Sequence, residues 1–167
     1  MLLSIDTTDS IFVLLDAQEL IDIREMNNNN ELGPRAEKAL RLKFPGRESF
    51  RNGKELKEAV KIVTLNGRPS VNLSTTKDDV YKKYGYPINR WDVSKVKDFT
   101  SIFEWESFNE NIGDWDVSSG IKFDRMFHYA TSFNQDISRW NVSNGTSFRD
   151  MFNGATYFNQ DISRWDV

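Results

Sequence analysis

The sequence predicts an α+β protein in which an N-terminal helical cap, residues 1–84, precedes a short solenoid, residues 85–167. Each repeat of the solenoid is expected to hold one short strand and one short helix. Three observations predict this fold. Tryptophans recur every 24 or 25 residues in the carboxyl-terminal half, and the apolar residues between them follow two spacing patterns. The amino-terminal half has the periodicity of helices. Repetition at such a period is typical of chains whose units bury their apolar faces against each other.

The amino-terminal half shows helical patterns separated by turn residues. Residues 9–27 carry capping residues and apolar positions that predict two short helices. Pro34 is well placed to open a third helix, residues 64–76 are predicted to form a loop, and the segment KDDVYKKYG predicts a last helix before the repeats. The predicted core positions are Ala36, Ala39, Leu40 and Leu42 in the third helix, and Leu56, Ala59, Val60 and Val63 in the fourth, GKELKEAVKIV.

The carboxyl-terminal half contains three repeats and the start of a fourth, each beginning at a tryptophan. Repeat 1 spans residues 91–114, repeat 2 spans 115–139, repeat 3 spans 140–164, and the fourth begins at Trp165. The octapeptide FNQDISRW occurs twice, at 133–140 and at 158–165. Unrelated surfaces do not share eight residues, so the repeated letters are expected to be structural, with the asparagines hydrogen-bonding between repeats and each indole N–H finding a backbone acceptor.

Apolar residues follow two spacing patterns within each repeat. The W-x-V portion alternates between apolar and polar residues, which predicts a short, half-buried strand. The pattern that follows, F-x-x-M-F-x-x-A, places apolar residues at i, i+3, i+4 and i+7, which predicts about two turns of helix. In repeat 2 the second pattern comprises Phe123, Met126, Phe127 and Ala130.

The combined pattern W-[DN]-V-S…F-x-x-M-F-x-x-A-x-x-F-N-Q-D-I-S resembles the BspA-type leucine-rich repeat over roughly residues 85–167. That family is found in bacterial and mycoplasma surface lipoproteins and in proteins of protists, algae and large viruses. The resemblance implies a leucine-rich-repeat-like fold and a non-enzymatic role, often adhesion or protein binding. It implies no particular partner.

A second resemblance lies near the amino terminus. The stretch IFVLLDAQELIDIREMNNNNEL resembles an F-box, which docks on a ubiquitin-ligase adaptor and is joined to a substrate-binding repeat array. The resemblance implies a substrate adaptor that binds a Skp-type protein through residues 10–32. The alternative is that these helices only cap the first repeat, as an exposed array requires.

The sequence offers little material for catalysis or for binding a cofactor. It has no cysteine and one histidine, His128, which is expected to be a surface side chain. No phosphate-binding glycine motif and no dense run of calcium ligands is present. No catalytic residue, cofactor or metal site is therefore predicted, and a small-molecule substrate is not expected.

Charge and hydropathy indicate which partners and which cellular locations to expect. The net charge is −3, and the basic stretch 35–68 is interrupted by glutamates, which favours a solvated face over a nucleic-acid interface. The first residues lack the features of a signal peptide, and no apolar run reaches the length of a membrane span. The sequence thus predicts an intracellular (cytoplasmic) or virion protein without a membrane span.

Two surfaces are predicted to bind protein. If the W-x-V residues face inward, their polar neighbours form a mixed-charge strip on the outer face of the sheet. A second surface, an assembly edge, is expected where Trp165 and Val167 leave strand edge and apolar surface exposed. The strip comprises Arg90, Asp92, Ser94, Asp114, Asp116, Ser118, Arg139, Asn141, Ser143, Arg164 and Asp166.

These observations favour a non-catalytic protein-interaction or structural module, a scaffold component of a larger assembly such as a virus particle. The partners are expected to be other proteins or further copies of the chain. The alternatives are an F-box-like substrate adaptor and a surface adhesin, and an enzyme comes last.

Overall fold

A computed structural model describes residues 32–64 and 75–167. Three α-helices lie in this part of the chain: α1 (Leu32–Lys43), α2 (Gly53–Thr64) and α3 (Lys77–Tyr84), followed by one turn of 3-10 helix at Ile88–Arg90. The helices predicted within residues 9–27, the F-box-like stretch up to residue 31, and residues 65–74 of the predicted loop lie outside the described residues.

The helices follow the apolar spacing of the sequence. All four residues predicted to form the inner face of α2 are buried, and α3 occupies the segment predicted for the last helix. A capping box starts α3, since the Thr76 hydroxyl accepts from the Asp79 amide and the Asp79 carboxylate accepts from the Thr76 amide. One position in α1 was predicted wrongly: Ala36, Ala39 and Leu40 are buried, but Leu42 is 69% exposed.

The helices pack against repeat 1 through an aromatic cluster and a close backbone approach. Phe50, which precedes α2, stacks on Tyr84 with ring centroids 3.8 Å apart and lies 5.1 Å from Trp91. A side chain at Gly53 would place its Cβ 1.8 Å from the carbonyl oxygen of Asp98, so glycine allows α2 to approach the repeat. All three helices and the repeats therefore share one apolar core.

The predicted fold class is wrong. Within residues 32–64 and 75–167, the three α-helices all end before residue 85, and no strand is formed, so the repeats do not build a solenoid of one strand and one helix each. The only β-type pairings in this part of the chain are isolated parallel bridges, Ser49 with Asp92, Asp98 with Lys122, and Lys122 with Ser147. The repeats consist of turns and bends instead.

The helix predicted in each repeat is replaced by a chain of tight turns. Arg125 and Tyr129 adopt φ angles of 53° and 54°, and a left-handed residue every fourth position interrupts a right-handed helix. The amides of Phe123, Arg125, Phe127 and Tyr129 donate to carbonyls of repeat 3 rather than to the preceding helical turn. The apolar spacing correctly indicated which side chains are buried, since Phe123 and Phe127 are 0% exposed, but it did not indicate the backbone.

The predicted W-x-V strand fails for a similar reason. Burial alternates as expected, with Trp115 and Val117 buried and Asp116 exposed. However, the Trp115 amide donates to the carbonyl of Ile112, three residues earlier in the chain, and the equivalent amides of Trp91, Trp140 and Trp165 do likewise. Local turns thus take the hydrogen bonds that a sheet ladder would need.

Equivalent side chains of successive repeats stack on one another. Phe99 and Phe123 have ring centroids 5.2 Å apart, Phe123 and Phe148 are 5.1 Å apart, and each pair is within 4° of parallel. Further columns are Phe103–Phe127–Phe152, Phe108–Phe133–Phe158 and Trp140–Trp165. This stacking explains why aromatic residues recur at the repeat period, because each ring covers the next.

Two hydrogen-bond predictions for the repeated letters are confirmed. The indole N–H of Trp140 donates to the carbonyl of Ile112 at 3.1 Å, and the indoles of Trp91, Trp115 and Trp165 also donate to backbone carbonyls. Asn134 bridges successive repeats. Its backbone amide donates to Asn109 Oδ1 at 2.8 Å, and its side-chain Oδ1 accepts from the backbone amide of Asn159 at 3.0 Å.

Candidate interaction surfaces

The first polar residue of each W-[DN]-V-S motif caps a turn. Asp92 Oδ1 accepts from the amide and the hydroxyl of Ser94 at 3.1 and 2.6 Å. The same arrangement recurs at Asp116 with Ser118 (3.1 and 2.6 Å) and at Asn141 with Ser143 (3.2 and 2.8 Å). Both an aspartate and an asparagine can therefore cap this turn.

Four residues of the predicted strip line a cleft where the helical region meets repeats 1 and 2. We call this the junction cleft; its volume is about 660 Å³. Its lining consists of Gly46, Arg47, Asn89, Arg90, Trp91, Asp92, Val93, Asp114 and Asp116. Sequence reasoning did not indicate Gly46, Arg47 or Asn89 as site residues, because the loop before α2 reaches the repeats only in the folded chain.

The remaining residues of the strip do not line this cleft. Ser94 and Ser118 hold the aspartates of the turns. Because no sheet exists in the described residues, the strip lies on turns rather than on strands. The members on later repeats are exposed to solvent: Arg139, Asn141, Ser143, Arg164 and Asp166.

Four backbone amides of each repeat donate in the same direction along the stack. In repeat 1 the amides of Phe99, Ser101, Phe103 and Trp105 donate to carbonyls of repeat 2 at 2.8–2.9 Å. In repeat 2 the four equivalent amides donate to repeat 3 over the same distances. At these four positions the donors point toward the following repeat. The direction is reversed just before them, where the amides of Ile121 and Thr146 donate to the carbonyls of Lys97 and Ile121 in the preceding repeat.

The equivalent amides of repeat 3 are a row of unpaired donors within the described residues. The equivalent amides there belong to Phe148, Asp150, Phe152 and Gly154, and none of them has an acceptor among the described residues. We call these four amides the donor edge. Beside it, Phe148, Phe152, Phe158 and Trp165 are only partly buried, whereas Phe123, Phe127, Phe133 and Trp140 are at most 4% exposed.

The predicted assembly edge at Trp165 and Val167 has two different halves. Trp165 is partly buried, because its ring stacks on Trp140 and its indole donates to the carbonyl of Ile137 at 3.2 Å. Val167 is 82% exposed. The sequence did not predict the donor edge, because its donors are backbone N–H groups, whose direction does not depend on residue type in a way that a sequence pattern shows.

A pair of stacked aromatic side chains was also missed. The rings of Trp105 and Tyr129 lie 4.2 Å apart and 3° from parallel, although the two residues are 67% and 41% exposed. Both have left-handed backbone conformations, and at the equivalent position of repeat 3 stands Gly154. The sequence does not indicate this pair, because the equivalent positions of the three repeats hold a tryptophan, a tyrosine and a glycine, which do not form a recognisable repeat motif.

His128 is not the surface side chain that the sequence predicted. Its side chain is 14% exposed and its Nδ1 lies 3.0 Å from Glu104 Oε1. Burial raises the pKa of Glu104, but hydrogen bonds from Ser101 and His128 outweigh burial and lower it overall. The imidazole also packs edge-on against the Trp105 ring, so it supports the exposed aromatic pair.

The most perturbed carboxylate holds the helices together. Burial raises the pKa of Glu55, but hydrogen bonds from the Arg51 backbone and side chain, from Tyr84 and from Lys83 outweigh burial and lower the pKa to about 2. Since Glu55 lies on α2 and both Lys83 and Tyr84 on α3, the group acts as a structural clamp between the two helices.

In residues 32–64 and 75–167, no group of three or more histidine, aspartate or glutamate side chains is arranged to hold a metal ion. Among the same residues, no helix has the length and apolar character needed to cross a bilayer.

Comparisons with known proteins identify one family. Searches of curated proteins and of solved structures returned no match. The model of the family described as "Mycoplasma protein of unknown function, DUF285" matches residues 72–167, which is more than half of the chain and includes every repeat. The chain is therefore a member of the DUF285 family.

Proposed function

We propose that this protein is a non-catalytic protein-interaction module that acts as a scaffold component of a larger assembly. The observation that carries the proposal is the donor edge, where four aligned amides and four half-buried rings repeat the arrangement that joins repeats 1, 2 and 3. Aligned, unpaired backbone groups beside apolar surface are a template for another chain.

The polarity of the edge restricts its occupant. Two copies of the donor edge facing each other by two-fold symmetry would oppose donor to donor, so they cannot pair. On the opposite side of repeat 1, the carbonyl of Asp98 lies close against Gly53 of α2. A coil of the same repeat type fits the edge, whether it belongs to the same polypeptide or to another, because it presents carbonyls at the same spacing and aromatic rings in the same columns.

We further propose that the repeats are of the BspA type, supported by the W-[DN]-V-S…F-N-Q-D-I-S motif. Membership of DUF285 is consistent with this assignment. The interaction role that the resemblance implies agrees with the donor edge.

Hydrogen exchange of the whole chain tests the proposal. A synthetic peptide with the sequence of residues 115–139 serves as the probe, and a scrambled peptide of the same composition is the control. The four amides of the donor edge should exchange rapidly alone and slow down by at least about tenfold with the probe but not with the control. If the amides of Phe152 and Gly154 exchange equally fast with both peptides, the donor edge is not an interaction site.

A further inference from the structure

We propose that Asn153 is a site of spontaneous modification, where the side-chain amide is lost as ammonia and aspartate and isoaspartate are formed. Four asparagines of the sequence are followed by glycine, which obstructs this reaction least because it has no side chain. The structure describes three of these pairs, and their hydrogen bonds distinguish them. The three are Asn52–Gly53, Asn144–Gly145 and Asn153–Gly154.

The reaction joins two neighbouring groups of the chain. The backbone nitrogen of Gly154 attacks Cγ of Asn153, a bond forms between these atoms, and the bond from Cγ to Nδ2 breaks. Ammonia leaves with the proton that the attacking nitrogen has lost, and a cyclic imide remains. Water then adds to one carbonyl of the imide and opens the ring, giving aspartate or, through the other carbonyl, isoaspartate, whose main chain runs through the former side chain.

The side chains of the other two asparagines are held by hydrogen bonds. Asn52 Oδ1 accepts from the Glu55 amide at 3.0 Å, at the start of α2. Asn144 Nδ2 donates to the carbonyl of Ser118 at 2.8 Å. The side chain of Asn153 is exposed and has no hydrogen-bond partner within the part of the chain that the structure describes. Its Cγ can therefore turn toward the next residue without first breaking a hydrogen bond.

The attacking nitrogens of repeat 3 differ in the same direction. The Gly145 amide donates to the carbonyl of Val142 at 2.7 Å, which opposes the loss of its proton. The Gly154 amide belongs to the donor edge and has no acceptor in residues 32–64 and 75–167. Asn153 thus combines an unbonded side chain with an unbonded nitrogen on the next residue.

The fold requires the glycine of this pair but not the asparagine. Gly154 has a φ of 77°, and a Cβ there would lie 2.6 Å from the Tyr129 ring. At the position of Asn153, repeats 1 and 2 have Glu104 and His128, whose side chains lie 3.0 Å apart. The position therefore accepts different side chains, and N153Q is a suitable variant, because glutamine keeps the amide but would have to close a larger ring.

The modification alters the donor edge. Asn153 lies between Phe152 and Gly154, whose amides are two of the four donors, and isoaspartate adds one main-chain carbon between them. A partner coil that accepts from the Gly154 amide should in turn slow the modification. This connection rests on the proposed interaction function, whereas the modification itself does not.

Peptide mapping by mass spectrometry of the whole chain, after incubation in neutral buffer, tests the proposal. Asn153 should be converted at least about fivefold faster than Asn52 or Asn144, the factor that one hydrogen bond of ordinary net strength represents. The chain unfolded in guanidinium chloride is the control, because the rates of the three sites should approach one another when these hydrogen bonds are absent. The variant N153Q should show no conversion at this position in the same period. Equal rates in the folded chain, or the same ratios in the folded and unfolded chains, would overturn the proposal.

The peptide of residues 115–139 tests the connection with the donor edge separately. Under conditions in which this peptide slows hydrogen exchange of the Gly154 amide, it should slow conversion of Asn153 by at least about threefold and leave that of Asn144 unchanged. Slower exchange with unchanged conversion would refute the connection. A lack of exchange protection counts against the proposed function alone, because the rates in the free chain decide whether Asn153 is the modified site.

Discussion

The left-handed conformation of Arg125 allows a direct test of the backbone of the repeats. The variants R125G and R125A both remove the exposed Arg125–Asp150 pair, whose atoms are 3.9 Å apart, so the difference between them reports on backbone conformation alone. Alanine at a φ of 53° costs about 1–2 kcal/mol. Glycine avoids that cost but loses about 0.5–1 kcal/mol through the greater entropy of its unfolded chain.

The expected result is that R125G is more stable than R125A by about 0.5–1 kcal/mol, measured by urea unfolding followed through tryptophan fluorescence. In the helix that the sequence predicts for this segment, the order would be reversed, because glycine is about 1 kcal/mol less favourable than alanine. The same pair of substitutions at Lys122, which is not left-handed, is the control and should favour alanine. If alanine is the more stable residue at both positions, the turn structure of the repeats is refuted.

Three further predictions concern the core and the helices. Because the pKa of Glu55 is lowered to about 2 in the folded chain, its ionised form contributes stability that is complete above about pH 5 and is lost as the pH falls toward 2. The urea concentration at the midpoint of unfolding should therefore depend less on pH in E55Q than in the wild type over that window. W140F should lower the free energy of unfolding by about 2 kcal/mol, since the smaller ring fills less of the core and the carbonyl of Ile112 keeps only the Trp115 amide as a donor. W165F should cost less, because that ring is partly exposed, and equal costs would contradict this. G53A should destabilise the chain by more than about 1 kcal/mol, because the new Cβ would meet Asp98, and an unchanged melting temperature would show that α2 does not approach repeat 1 so closely.

Local patterns in the sequence determined which side chains form the core. The helical spacing in α2 and the spacing of Phe123, Met126 and Phe127 both identified buried residues correctly, because burial depends on which side chains share a face. The period of the tryptophans likewise determined which rings stack, since equivalent positions must meet when repeats lie side by side.

Only the tertiary structure decided the backbone of the repeats. A spacing of i, i+3, i+4 and i+7 fits a helix, but it also fits turns in which alternate amides donate to the neighbouring repeat. The sequence does not distinguish hydrogen bonds within a helix from hydrogen bonds between repeats. The left-handed residues are equally hidden, because serine, arginine, aspartate, tryptophan and tyrosine fill positions for which glycine is the usual signal.

The two candidate surfaces also emerged only on folding. The sequence indicated Asp92 and Asp116 as exposed, but the junction cleft exists because the loop carrying Arg47 is brought against them by the packing of Phe50 on Trp91. The donor edge consists of backbone groups, which every residue except proline carries, so their direction depends on the φ and ψ angles of the folded chain. Sequence alone therefore determined most of what is buried, Leu42 and His128 excepted, and the three-dimensional packing of the repeats determined which polar groups remain available for binding.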